Sequence, residues 1–337
     1  MTADSALATC VNSLISERLA NFCLLSTLAN GTMSDYDKKT LNTGLSNEGY
    51  TTIENRYDDQ KLQRGFARFV ITPSLNFSDN VNGGNSNQPI KVGELEFIGD
   101  EKFFKKSDVL VGLSVTMFGR RILGRGRYID AVAMGGISKS PQHNLNVTTG
   151  QINICSKNHL TDLWFLDACL EKFIENKSLR NHRELRQKVS VSKLLSHEKS
   201  GFSELSIGMG HLGNSEYKQE QILLGAKTIH PSGITSDLQI LLGEKVPGKL
   251  VTKHAFRTSI SFEFYSNPVT MNFNLSQAVG GRLFGVARDE KSRSIVIEYP
   301  ITDNVVASFG FKETDSNIDY FDFTQPIAGM RFNLSEF

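Results

Sequence analysis

An antiparallel transmembrane β-barrel of about fourteen strands, all-β apart from a short N-terminal helical segment, is the fold class this sequence predicts. The first reason is strict alternation. Phe256, Thr258, Ile260, Phe262 and Phe264 fall on one side of an extended stretch, with Arg257, Ser259, Ser261 and Glu263 on the other. Val269, Met271, Phe273 and Leu275 oppose Thr270, Asn272, Asn274 and Ser276 in the next stretch, and Tyr265-Ser266-Asn267-Pro268 joins the two as a hairpin. The second reason is recurrence: the same pattern returns every 12 to 20 residues or so, the repeat of a roughly ten-residue strand plus a turn. The third is the chemistry of the polar face. It is largely Ser, Thr, Asn, Gly and Gln with single charges, which suits a water-filled lumen better than the charge-rich exterior of a soluble sandwich.

Composition agrees with this reading. The 337 residues carry 37 Lys+Arg against 36 Asp+Glu, a formal net charge of +1, so no polyanion partner is indicated and nucleic acid is not expected. No run approaches the ~20 apolar residues of a spanning helix. A mean hydropathy of −0.24 is what averaging lipid-facing and lumen-facing residues gives. Phe supplies much of the apolar area, with 22 residues against a single Trp.

Residues 4–29 read as one amphipathic helix, capped by Asp4, with Leu7, Val11, Leu14, Ile15, Leu19 and Phe22 at helical spacing and Asn30-Gly31 as its stop. Such a helix requires a partner: the barrel rim, the lumen as a plug, or a further helical domain. Residues 31–62 are polar and without period, so 1–62 is expected to be helix plus linker, and 63–337 the barrel. Fifteen candidate strands follow, beginning with Phe69 to Phe77, Ile90 to Ile98 and Val109 to Met117; single-chain bacterial barrels have even strand numbers, so one candidate is expected to be a loop. Met1-Thr2-Ala3-Asp4-Ser5 carries no basic segment followed by an apolar core, so no signal peptide is read, and a mature outer-membrane chain is the expectation.

Chemistry-bearing residues are sparse. The seven histidines are scattered without zinc-site spacing, no Rossmann or phosphate-loop motif occurs, and neither cofactor nor metal is expected. His211, following Ser206 and Gly210, is the least implausible catalytic base, yet no enzyme activity is predicted. Arg120, Arg121, Arg125 and Arg127 cluster at a Gly-rich reversal, which is read as an anion-favouring pore constriction, a contact with lipid phosphates, or a solvated loop. Cys155 and Cys169 flank a turn and are expected to form a cross-hairpin disulfide, whereas Cys10 and Cys23 on one continuous helix would be about 20 Å apart and unable to pair. Pro73 and Pro326 each lack a ladder donor and mark the expected seam between first and last strands. Gly329, Met330 and Phe332, with Leu334 beyond, carry the spacing of a C-terminal signal for the barrel-assembly machinery.

The run Ser74-Leu75-Asn76-Phe77-Ser78-Asp79-Asn80-Val81-Asn82-Gly83-Gly84 resembles the opening strand and Asn-rich loop of surface lipoprotein assembly modifiers. Thr314 to Phe332 resembles their final hairpin, and Ala287-Arg288-Asp289 sits where that family has a basic-acidic loop. The resemblance spans 66–332 and implies a fourteen-stranded outer-membrane barrel that helps deliver lipoproteins to the cell surface, with outer-membrane lipids, the assembly machinery and a lipoprotein cargo as partners. Members of that family usually carry a helical-repeat domain before the barrel, for which about 60 residues precede the strands here. The alternative expectation is a porin-like channel for small solutes. A lateral opening between first and last strands would favour the former, and a long loop folded into the lumen the latter.

Overall fold

The computed structural model describes residues 10, 16–29, 41, 43, 45 and 65–332, except 87, 88, 93, 198–200, 215, 266 and 303. Fourteen strands close a single antiparallel barrel. They are β1 (Gly65–Ser78), β4 (Asp108–Gly124), β5 (Arg127–Ser140), β6 (Leu145–Thr161), β7 (Trp164–Asn176), β8 (Asn181–His197), β9 (Gly201–Gly213), β10 (Lys218–Ile229), β11 (Thr235–Gly243), β12 (Val251–Phe264), β13 (Asn267–Leu283), β14 (Val286–Thr302), β15 (Val305–Ser316) and β16 (Phe323–Phe332). Each strand pairs with its sequence neighbour, and β1 pairs with β4 on one side and β16 on the other. The candidate strand at Ile90 to Ile98 is the one outside the barrel: β2 (Ile90–Val92) and β3 (Leu95–Phe97) form a small hairpin within the loop between β1 and β4.

Parity assigns the two faces. Arg257 pairs with Asn274, Ser259 with Asn272 and Glu263 with Pro268 on the lumen side, whereas Phe262 pairs with Val269 and Ile260 with Met271 on the outside. The outward set includes Leu113, Met117, Ile152, Leu170, Ile207, Met209, Ile222, Phe309 and Phe311, all exposed, with Met209 at 70 %. A continuous belt of this kind far exceeds the apolar patches soluble monomers expose, and it is accounted for by lipid. Trp164, Phe264 and Tyr265 stand exposed where β7 begins and β12 ends, near the terminus-side rim, and form part of an aromatic girdle.

The two ends differ. On the terminus side the turns are short, as at 125–126, 162–163 and 265–266, while the other end carries the long loop 79–107. The seam is brief: among the described residues β1 and β16 pair only through Ser74↔Arg331, Leu75↔Met330 and Asn76↔Gly329, against fourteen pairs between β1 and β4.

The N-terminal segment departs from the single helix expected from its periodicity. Ser16 is non-helical, and helix α1 runs Glu17–Ala29, with the Ser16 hydroxyl accepting a hydrogen bond from the Leu19 N–H at 3.2 Å. Ser16 is therefore the N-cap of α1, and Asp4, the expected cap of the longer helix, lies outside the described residues. Cys10 and Cys23 form a disulfide with Cα atoms 5.7 Å apart, a distance that one continuous helix joining them would not allow. The continuous-helix premise that separated them does not hold.

Candidate functional site: a lumen between a plug and a lid

Helix α1 sits inside the terminus-side mouth of the barrel. Leu19, Cys23 and Leu24 are buried against Phe165 of β7, Leu194 of β8 and Ile229 of β10, all lumen-facing near that rim, together with Cys10 and Leu41. Phe22 meets Phe202 of β9 edge to face, with ring centroids 5.7 Å apart. Of the three placements open to an amphipathic helix, the lumen is the one taken.

Its polar face is held by ions. The Arg18 guanidinium donates to both carboxylate oxygens of Asp167, at 3.0 and 2.8 Å, and through Nε to Glu204 at 2.7 Å, while lying 4.8 Å from the Phe165 ring centre. Glu204 also accepts from the Ser16 hydroxyl, and Asp167 forms an ion pair with Lys157 at 2.9 Å. All three principals are buried: side-chain exposures are 9 % for Arg18, 8 % for Asp167 and 6 % for Glu204. Desolvation opposes the charge on Arg18 most strongly, but Glu204 and Asp167 together raise its pKa above the ordinary arginine value, so Arg18 stays charged at any physiological pH. A second anchor joins Glu17 to Arg120 of β4 at 2.5 Å, with Arg120 also pairing Asp130 of β5 at 2.5 Å and lying 4.1 Å from the Tyr128 ring centre.

This geometry corrects the expected four-arginine constriction. Neighbouring residues on a strand point to opposite faces. Arg120 therefore enters the lumen, whereas Arg121, which pairs with Ile129, and Arg127 lie on the outer face near the rim. Arg125 is in the intervening turn, beside Phe22 and Leu25 of the plug. Of the four, Arg120 alone projects from a barrel strand into the lumen, and it anchors the plug.

The opposite mouth is crossed by the loop 79–107. Asn82 accepts a hydrogen bond from Leu179 N–H at 2.9 Å and from the Ser178 hydroxyl at 3.2 Å in the β7–β8 turn. Its side-chain amide donates to Phe104 O at 2.7 Å and its side-chain oxygen accepts from Lys106 N–H at 2.9 Å. At the far end of the loop, Phe97 stacks on Phe284 of the β13–β14 turn with centroids 5.8 Å apart. Those two turns lie six strand positions apart around the fourteen-strand ring, so the loop spans nearly a diameter. Gly83 makes the docking close: its φ is +72°, and a Cβ there would stand 2.7 Å from Arg180 Cβ.

Between plug and lid the wall carries both signs of charge. Glu171, Arg186, Lys188 and Arg257 converge from β7, β8 and β12 on a cavity of about 310 Å3 at mid-height. Arg186 pairs with Glu184 at 2.8 Å and approaches Glu171 at 3.7 Å. Cys155 and Cys169 stand directly opposite each other in the register of β6 and β7 and form a lumen-facing disulfide with Cα atoms 4.1 Å apart. Sequence reasoning missed Arg18, Glu17, Asp167 and Glu204. No local signal marks them, because each acquires meaning only through a partner more than a hundred residues away.

The remaining candidates are placed as follows. Pro73 pairs with Leu113 next to the seam, Pro326 pairs with Phe311, Gly329 pairs with Asn76 across the seam, and Phe332 pairs with Val305; Leu334 lies outside the described residues. His211 binds Glu220 at 2.6 Å on the outer face, while Ser206 faces the lumen next to Ser192, so the two cannot act together. No group of metal-binding side chains occurs among the described residues.

No family model matches the chain, and no curated protein matches it. Solved structures to which it is similar include Pseudomonas putida OprB, at a TM-score of 0.45 and 8 % identity over 81 % of this chain and 94 % of that one. Pseudomonas aeruginosa OpdQ aligns at 0.43 and 7 % identity over 80 % and 98 %. Pseudomonas aeruginosa OpdN aligns at 0.41 and 10 % identity over 81 % and 99 %. The resemblance to surface lipoprotein assembly modifiers finds no support among these comparisons.

Proposed function

We propose that this chain is a porin-like channel of the bacterial outer membrane that passes small polar solutes, closed at its periplasmic mouth by α1 and narrowed at its external mouth by the loop 79–107. The observation that carries this reading is the lumen itself. Its wall carries polar side chains and both signs of charge, and the helix that stops it is anchored on its polar face by ion pairs, contacts that can be exchanged with water. Outer-membrane lipids then cover the belt, and the barrel-assembly machinery inserts the chain. The test is liposome swelling with neutral sugars of increasing size. Vesicles holding the protein with Arg18→Ala and Glu17→Gln should swell with small sugars and resist large ones. An impermeable, correctly assembled variant would end this reading.

One observation favours the second reading, delivery of lipoproteins to the surface. The three-pair seam leaves the upper part of β16, Phe323 to Ala328, without a partner on the β1 side among the described residues. A short seam is the natural place for a wall to part. Cysteines replacing the directly paired Ser74 and Arg331 would lock it, and loss of surface display of a co-expressed lipoprotein in the locked form would support this alternative.

A further inference from the structure

We infer that the mid-lumen cavity is a binding subsite for a small organic anion with a short apolar tail; the inference rests on the channel reading and names the solute class that lumen would hold. Most charges around the cavity are already matched. Lys157 is held by Asp167 at 2.9 Å, Arg186 by Glu184 at 2.8 Å, and Glu171 accepts from the Gln151 amide at 2.8 Å as well as lying 3.7 Å from Arg186. Two cations are left. Lys188 of β8 and Arg257 of β12 line the same cavity, and among the described residues neither side chain makes an ion pair or hydrogen bond. Three strands, β9 to β11, separate them in the wall, so they face one space from different sides and their charges add there.

The rest of the lining limits the guest. Leu223, Leu241 and Ala255 form an apolar wall, while Asn153 and Gln239 offer amide groups. An inorganic anion would leave the apolar wall against water, and a cation would meet two unmatched positive charges. A carboxylate with an alkyl tail of a few carbons matches both halves: its oxygens accept from Lys188 and Arg257 and its tail covers the leucines.

Pentanoate, 1-pentanol and pentylammonium are suitable probes, measured by equilibrium dialysis against the intact protein in detergent. Pentanoate should bind at least tenfold more tightly than either of the others. Lys188→Gln or Arg257→Gln should each weaken it about tenfold, the loss expected of one charge-assisted hydrogen bond. Equal binding of the three probes, or pentanoate binding unchanged in both variants, would overturn the proposal. The comparison among probes uses the unmodified protein, so it stands even if a variant fails to assemble. Sugar permeation of the unplugged protein without pentanoate binding would refute the subsite alone, and binding without permeation would refute the channel alone.

Discussion

Replacing Arg18 by alanine removes the centre of the plug's ionic anchor and leaves Asp167 and Glu204 without the guanidinium they share. Both carboxylates are more than nine-tenths buried, so solvent screening offers little relief. Lys157 still partners Asp167, but Glu204 keeps only the Ser16 hydroxyl and its cross-strand neighbour Lys227, itself paired to Asp237. Breaking a buried pair by deleting one partner costs about 3–5 kcal/mol, because the orphaned charge remains in place. At about 1.4 kcal/mol per factor of ten, the ratio of undocked to docked plug should rise by about 10²–10³·⁵. Amide hydrogen exchange over Glu17 to Ala29 reads that ratio directly, since these amides exchange when the helix leaves its seat. Protection should fall by two to three and a half decades in α1 while the barrel strands stay unchanged. A triple variant, Arg18→Met with Asp167→Asn and Glu204→Gln, should recover most of it, because no buried charge is then left alone. Unchanged protection in Arg18→Ala, or an equal loss in the strands, would refute the assignment of this triad as the plug's anchor.

Further consequences follow from the same geometry. Cys10→Ser opens a disulfide linking residues 13 apart and should lower plug protection by about 3 kcal/mol equivalent, read by the same exchange experiment; an effect under a few tenths would mean the link does not restrain the plug. Phe262→Arg places a charge on the outer belt and should cost about 2–4 kcal/mol in urea unfolding from bilayers if the residue lies near the midplane, whereas no change would move that ring out of the hydrocarbon. Gly83→Val should force the loop 79–107 off the β7–β8 turn, so trypsin should cut at Lys102 and Lys105 markedly faster than in the parent; equal rates would mean the loop is not held there.

Much of the barrel was legible because alternation is a local property: each strand reports its own two faces, and Phe262 against Arg257 needed no knowledge of the partner strands. The hairpin at 90–97 read as a barrel strand since a short alternating run looks the same in a lid as in a wall. Parity alone separates Arg120 from Arg121, yet the shift between Ile122 and Gly124 and the turn after it hide where Arg125 and Arg127 point. The break at Ser16 was invisible because the apolar spacing continues through it. The plug's anchor was beyond reach altogether, since Arg18 finds Glu204 only once seven barrel strands have been laid down.

The central claim is that solute moves along the lumen and not through the wall. Single-channel recording in planar bilayers of the Arg18→Ala protein, with Ser74→Cys and Arg331→Cys joined across the seam, tests it most directly. Steady, discrete conductance that persists in the cross-linked barrel and disappears when the plug is restored is the outcome the account requires. Conductance that vanishes on cross-linking, or a silent membrane with the plug displaced, would contradict it.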